Sequence, residues 1–293
     1  MKLGDLKRNI DLFSHTTLRM KTVAEYFFEA KSRDDLILVR KLASNQRLPF
    51  TILGGGSNVA MVNAILRGIV VKNLYIQKEL VSDSGDSVWL LVSSGYPGSK
   101  LVNETVEAGY QGLEYHLGLP GTVGGAIYMN SKWTNPECYF GDPVESAHLL
   151  DKAGNVKKVK KDYFHFAYDY SRLQETGEIL LEVVFRFKKA DPKVLKKRAD
   201  EALTYRKATQ PFGIASSGCF FRNIDGTSAG SLIDRAGLKG TRIGNFVVSP
   251  KHANFILNQG DGNPEDLKKL IELVKEKVKA KFGVELKEEV ILL

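Results

Sequence analysis

Two glycine runs carry the clearest chemistry in this chain of 293 residues. The first, Ile52-Leu53-Gly54-Gly55-Gly56-Ser57-Asn58-Val59, sets three consecutive glycines behind a short apolar stretch. Glycine accepts positive φ and lets main-chain N–H groups approach a phosphate, and Ser57 and Asn58 add side-chain donors at the same place. A tight turn leaving a strand would use the same residues. The second run, Gly118-Leu119-Pro120-Gly121-Thr122-Val123-Gly124-Gly125-Ala126, holds four glycines and a proline within nine residues. So much backbone freedom is expensive to order. Two separated glycine loops suggest a dinucleotide whose pyrophosphate is held between two segments.

Other chemistries lack support. A Gly-x-Gly-x-x-Gly fingerprint starting at Gly54 would need glycine where Val59 stands, and no Gly-Lys-Ser/Thr closes the run. Neither a Rossmann site nor a P-loop is expected. No Cys-x-x-Cys or His-Glu-x-x-His occurs, so no metal site is expected. The only two cysteines, Cys138 and Cys219, are far apart, which fits a reducing compartment and no disulfide framework. A net charge of +8 with an isoelectric point near 9.2 suits an anionic partner. The densest basic cluster, Lys157-Lys158-Val159-Lys160-Lys161, reads as a strand edge blunted by lysines, without a nucleic-acid motif. Phosphate-bearing small molecules explain the charge better than nucleic acid does.

The elements that must position these residues are mixed. Asp34 to Leu42 is helical in pattern, Phe50 to Leu53 is a short strand running into the glycines, and Gly68 to Val71 is another strand. Strands dominate from Val88 to about Lys189, notably Val88 to Val92 and Ile179 to Phe185, with a helix at Ser99 to Ala108. Asp191-Pro192 opens a charged helix reaching about Arg206, since proline is well tolerated at a helix start. A short helix at Ala229 to Ala236 and strands at Phe246 to Val248 and Asn254 to Leu257 follow. Leu267, Leu270, Ile271, Val274 and Val278 keep the spacing of an amphipathic helix that starts at Asn263-Pro264, and Glu288 to Leu292 reads as a closing strand. No stretch approaches the roughly 20 apolar residues of a membrane span, and Met1 to Arg8 lacks the apolar run of a signal peptide. A cytoplasmic α+β protein with no membrane insertion and no obligate protein partner is expected.

Several segments, in order along nearly the whole chain, resemble the UDP-N-acetylenolpyruvoylglucosamine reductase family. They are His15-Thr16-Thr17, Leu53 to Val59, Gly118 to Asn130, Ser217 to Asn223, Ala229 to Gly244, Lys251 to Asn258 and Glu288-Glu289-Val290. The short middle section resembles the family's type II members. The resemblance implies a two-part FAD domain of the vanillyl-alcohol-oxidase (PCMH) type over residues 1–190, split near residue 75. It implies a C-terminal α+β substrate-binding domain over 191–293, whose last strand returns to the active site. Gly54, Gly55, Gly56, Ser57 and Asn58, with Pro120, Gly121, Thr122, Gly124, Gly125 and Ala126, would then hold FAD. The implied reaction is reduction of UDP-N-acetylglucosamine enolpyruvate to UDP-N-acetylmuramate with NADPH, a step in peptidoglycan precursor synthesis.

The resemblance also assigns roles. Cys219 stands where the family's proton-donating serine commonly stands, and a thiol with pKa about 8.5 is the stronger acid. Glu289 matches the C-terminal catalytic glutamate, with Glu288 facing the other way on a strand. The family's enolate-stabilising arginine, in Tyr-Arg-x-Ser, meets Asp169 in Tyr168-Asp169-Tyr170-Ser171-Arg172. A carboxylate there would repel the enolate. Either Arg172 reaches into the site instead, or it is a surface cation. Arg206, Lys207, Arg222 and Asn223 resemble contacts to the substrate's carboxylate and phosphates. Tyr128 and Asn130 follow the second glycine run as possible flavin or substrate contacts. His252 reads as a satisfied core histidine and Cys138 as structural. Two competing readings are another flavoenzyme on the same scaffold, such as an alcohol oxidase, and a degenerate paralogue that binds a UDP-sugar without turnover.

Overall fold

The computed structural model describes residues 1–224 and 226–293. Its residues group into two units. The first comprises Met1–Lys7, Phe27–Gly55 and Gly68–Arg206; the second comprises Arg8–Tyr26, Gly56–Arg67 and Lys207–Leu293. The chain thus passes from the first to the second between Gly55 and Gly56, inside the first glycine run.

In the first unit, Ser32 starts the helix Arg33–Asn45 with a reciprocal cap: its hydroxyl accepts from the Asp35 N–H, and the Asp35 carboxylate accepts from the Ser32 N–H. The helix buries Leu36, Val39, Leu42 and Ala43 on one stripe. The strand Phe50–Leu53 pairs in parallel with Ile65–Asn73, bringing Leu53 opposite Lys72.

A larger antiparallel sheet follows in the order Val156–Lys160, Val144–Leu150, Ile179–Lys189, Ser87–Ser93, Lys78–Ser84, with Tyr110–Gln111 paired beside the end of Ile179–Lys189. The lysine cluster does lie on an edge strand of this sheet, where its outer main-chain groups need protection from further pairing. Val88, Leu90 and Val92, alternating along one strand, pack with Leu101, Val102 and Val106 of the helix Gly98–Glu107 and with Val183, Phe185 and Phe187. Phe140, Phe185 and Phe187 stack edgewise or tilted through this core.

The charged helix runs Pro192–Thr209 and buries Leu195, Ala199, Ala202 and Arg206 on one face. Leu195 and Ala199 join the first unit's core. The change of unit therefore falls after Arg206, whereas the sequence pattern placed a division at residue 191.

In the second unit, a four-stranded antiparallel sheet orders Ala215–Cys219, Phe255–Asn258, Phe246–Val248 and Arg242–Ile243. The helix Pro264–Phe282 begins at Asn263, whose side chain accepts from the Asp266 N–H, and ends at Gly283 with φ of 70°. Its buried residues include Leu267, Leu270, Ile271, Val274 and Val278, the stripe that the spacing predicts. The closing strand is shorter than expected, only Ile291–Leu292, paired in parallel with Val59–Ala60. Glu288 precedes it as an isolated bridge to Phe221, and its carboxylate pairs with Lys275 at 3.0 Å, so it does not point freely to solvent from a strand. Among the described residues, no helix is long and apolar enough to cross a membrane.

Candidate active site

Within the first unit the two glycine runs lie backbone against backbone. A Cβ on Gly54 would strike the Thr122 hydroxyl, and one on Gly55 would come within 2.5 Å of the Gly121 Cα. At Gly55 the close approach of two main chains requires glycine, and at Gly54 the obstacle is the Thr122 side chain; such close approach is expected for two loops sharing one ligand. The Gly121 carbonyl accepts from the Gly98 N–H at 3.0 Å, and the Lys72 ammonium donates to the Gly54 carbonyl at 2.6 Å. Thr122 caps the helix Val123–Met129, so Gly124, Gly125 and Ala126 lie in a helical turn and not in an open loop. Gly124 has its own reason to be glycine: a Cβ there would meet the Ser94 Cβ and carbonyl at 3.0 Å. Pro120 is exposed beside these contacts.

The rest of the first run belongs to the second unit. Gly56 has φ of 68°, and a Cβ on it would strike the His15 carbonyl. The Gly56 carbonyl accepts from the Thr17 N–H at 3.0 Å, and the Thr17 hydroxyl donates to the Ser216 carbonyl at 2.7 Å. Thr17 thus clasps the glycine run to the strand that ends at Cys219. Ser57 is half-buried, and the Asn58 amide reaches the Glu289 carbonyl at 3.4 Å.

Cys219 and Glu289, 70 positions apart, ride on neighbouring main chains. The Glu289 N–H donates to the Phe220 carbonyl at 2.9 Å, and the Arg222 N–H donates to the Lys287 carbonyl at 2.9 Å. Phe220 and Phe221 are fully buried and anchor the segment. Gly218, with φ of 82°, and a register shift before Cys219 turn the strand end. Cys219 forms no disulfide among the described residues and is half-buried against Val247, Phe255 and Leu257. Asn254 pins the segment: its side-chain oxygen accepts from the Phe221 N–H (2.9 Å) and its amide donates to the Phe221 carbonyl (2.8 Å), while its own carbonyl takes the Phe220 N–H (2.7 Å). The sequence offers a signal for this in a lone amide before an apolar strand, and for Thr17 only its place in the family-like segment His15-Thr16-Thr17.

The other expected contacts divide. Arg222 is half-buried, and its Nε has no hydrogen-bond partner among the described residues. Asn223 is exposed and accepts from the Ala229 N–H at 3.0 Å, supporting the start of the helix Ala229–Arg235. Arg206 is buried over the Trp133 ring, 5.2 Å from its centroid, whereas Lys207 is exposed and its carbonyl accepts from Lys251. Arg172 lies over the Tyr163 ring at 4.6 Å, and the Tyr163 hydroxyl donates to Glu178. Of the two roles open to Arg172, this contact favours the surface cation. Asp169 is buried with φ of 48°. Both side-chain ends of Asn130 are engaged within the fold, donating to the Ala167 carbonyl and accepting from the Gly141 N–H, and the Tyr128 carbonyl accepts from Ser171. Burial pushes the Cys138 thiol up to about 12, in keeping with a structural role. His252 packs on Phe255 with its pKa lowered by burial, but its Nδ1 finds no partner among the described residues, so it is not the satisfied histidine expected.

The mixed fold, with its paired glycine runs, is matched by known FAD-binding oxidoreductases. Residues 24–160 match an FAD binding domain, and residues 210–293 match the C-terminal domain of UDP-N-acetylenolpyruvoylglucosamine reductase. The chain is 34% identical over 285 residues to the UDP-N-acetylenolpyruvoylglucosamine reductase of Chlamydia felis, covering 97% of this chain and 93% of that one. The solved UDP-N-acetylenolpyruvylglucosamine reductase of Thermus caldophilus matches with a TM-score of 0.81 at 28% identity, over 98% of both chains. A VAO-type flavoprotein of Myceliophthora thermophila shares the fold alone (TM-score 0.53, 9% identity, 89% of this chain and 70% of that one). The chain belongs to the UDP-N-acetylenolpyruvoylglucosamine reductase family.

Proposed function

We propose that this chain reduces UDP-N-acetylglucosamine enolpyruvate to UDP-N-acetylmuramate with NADPH, as a cytoplasmic step of peptidoglycan precursor synthesis. The observation that carries this reading is the pairing of the Cys219 and Glu289 segments through the Glu289 N–H and Phe220 carbonyl. A flavoenzyme that only oxidised alcohols would have no need of a thiol and a carboxylate carried on neighbouring main-chain segments.

FAD held by these residues would supply hydride chemistry, with NADPH as the source and the methylene carbon of the enolpyruvyl ether as the acceptor. Addition there leaves an enolate conjugated with the carboxylate, and the adjacent carbon still needs a proton. Cys219 supplies it: the S–H bond breaks, the C–H bond forms, and the thiolate is reprotonated from solvent. Glu289 orients or hydrogen-bonds the intermediate. With Asp169 in place of the family's arginine, Arg222 is the cation carried on the Cys219 segment, and we assign it to the substrate's negative charge. Gly54, Gly55, Gly56, Ser57, Asn58, Pro120, Gly121 and Thr122 hold the cofactor, Gly124, Gly125 and Ala126 support it from the helical turn, and Arg206, Lys207 and Asn223 complete the substrate contacts.

The test is NADPH consumption by the flavin-loaded protein with and without the enolpyruvyl sugar. Consumption that depends on the sugar supports the reductase. A buried Asp169 favours one rival, a UDP-sugar-binding paralogue without turnover. Sugar binding without flavin reoxidation would establish that rival instead.

A further inference from the structure

Lys72 is the one charged side chain in the otherwise buried stretch 68–73 of the strand Ile65–Asn73. Its Cα lies opposite Leu53 in parallel register, so its side chain leaves the sheet on the face where Leu53 is buried. The stem runs past the strand end, and the ammonium reaches the carbonyl of Gly54, the first residue of the glycine run, at 2.6 Å. Burial lowers the lysine's pKa, so the charge is held there against a desolvation penalty. A methionine would fill the same channel without that penalty. The ammonium therefore calls for an explanation beyond packing.

The peptide between Gly54 and Gly55 joins two residues with no side chain, and such a peptide flips easily. It is trans, since the one cis bond among the described residues is Asn135-Pro136. In a planar trans peptide the carbonyl and the N–H point in opposite directions. Fixing the Gly54 carbonyl on Lys72 therefore turns the Gly55 N–H away from the lysine. A flipped peptide would offer an oxygen to an incoming phosphate, where the loop needs a donor.

We infer that Lys72 is a positioning residue for the pyrophosphate of the flavin dinucleotide, holding the Gly54 carbonyl inward so that the Gly55 N–H stays turned out as an anion donor. This rests on the FAD reading of the two glycine runs. It separates Lys72 from residues that touch the cofactor, because its action passes through one peptide plane.

The experiment uses the full-length chain freed of flavin, titrated with FAD and with riboflavin, which carries the ring without the phosphates. Wild type, Lys72→Met and Lys72→Arg are compared by flavin fluorescence and by thermal melting of the flavin-free protein. Lys72→Met is expected to raise the Kd for FAD at least about tenfold while riboflavin stays within about twofold. The flavin-free melting temperature should not fall, and Lys72→Arg, which keeps a cationic donor, should recover most of the FAD affinity. Unchanged FAD affinity in Lys72→Met overturns the inference. So does an equal loss for both flavins, which marks general damage to the loop. A wild-type chain that binds neither flavin overturns the FAD reading beneath it, a result distinct from both.

Discussion

The main-chain N–H of Glu289 is bonded to the carbonyl of Phe220 at 2.9 Å, which sets a carboxylate from the end of the chain one residue from the Cys219 thiol's own backbone. Phe220 has no solvent exposure, so this bond lies on a rigid anchor. The relationship explains how Cys219, the proton donor we propose, can sit at a strand end without drifting. The buried phenylalanines fix the main chain, and Gly218 supplies the turn at the strand end while the Cys219 side chain packs against Val247, Phe255 and Leu257.

Removal of the Cys219 thiol should therefore act on one half of the reaction. Cys219→Ala is expected to lower sugar-dependent turnover by about 10²–10⁴-fold, the usual contribution of a positioned general acid. Flavin reduction by NADPH, followed by stopped-flow absorbance, should be unchanged. Alkylating agents should find Cys219 before Cys138, whose thiol is held protonated with a pKa of about 12. Bound sugar should protect. Full activity after complete alkylation of Cys219 would remove it from the mechanism.

Arg172 should matter for local stability and little for turnover. Its guanidinium over Tyr163 is a partly exposed cation–π contact, worth about 0.5–1 kcal/mol. Arg172→Ala is expected to lower the urea midpoint slightly and leave turnover within about twofold, a difference of less than 0.5 kcal/mol in barrier by the usual factor of about 1.4 per decade. A large loss of turnover at unchanged stability would mean that Arg172 does serve the enolate.

Asn254 holds the Phe221 peptide by both ends of its amide, and it is buried. Asn254→Leu is nearly isosteric but leaves a buried N–H and a buried carbonyl without those partners. The expected loss is roughly 2–6 kcal/mol, at about 1–3 for each orphaned group. Thermal melting of the flavin-free protein would report it. A melting temperature equal to wild type would show that Phe221 is held by its neighbours instead.

How far the sequence discloses this arrangement depends on range. Local signals served well: Asn263 caps the helix it precedes, and the 267-to-278 stripe is buried as its spacing requires. The strand Phe50–Leu53 runs into glycine as the pattern says. Errors came where tertiary contact decides. Gly124 and Gly125 read as loop residues, yet they lie in the short helix Val123–Met129, where close packing of Gly124 on Ser94 excludes a side chain. Glu288 read as a strand residue facing solvent, but the bridge to Phe221 and the pairing with Lys275 hold it. Arg172 could not be placed from sequence, since its partner Tyr163 is a neighbour only through the fold. Lys72 carried no motif, and Thr17, though in a segment that resembles the family, carried no sign of its role, because each acts on a main-chain carbonyl that only the fold brings to it.

His116 gives the protein a defined acid sensitivity. Its ring is fully buried, 4.0 Å from the Cys138 sulfur, and stacks edgewise on Phe140. Burial first, and the nearby Arg206 cation second, lower its pKa from 6.5 to about 3. The folded state therefore keeps His116 neutral where the unfolded chain is already protonated. Below pH 6.5 the unfolded state binds the extra proton, so stability is fully present above that pH and declines as the pH falls toward about 3. The slope from this one group is about 1.4 kcal/mol per pH unit over that window. Urea unfolding at several pH values between neutrality and mild acid would measure it in the wild type and in His116→Gln, which cannot titrate. The variant should lose less stability on acidification by about that slope. Parallel declines in the two proteins would assign the acid sensitivity to other groups and leave His116 as packing alone.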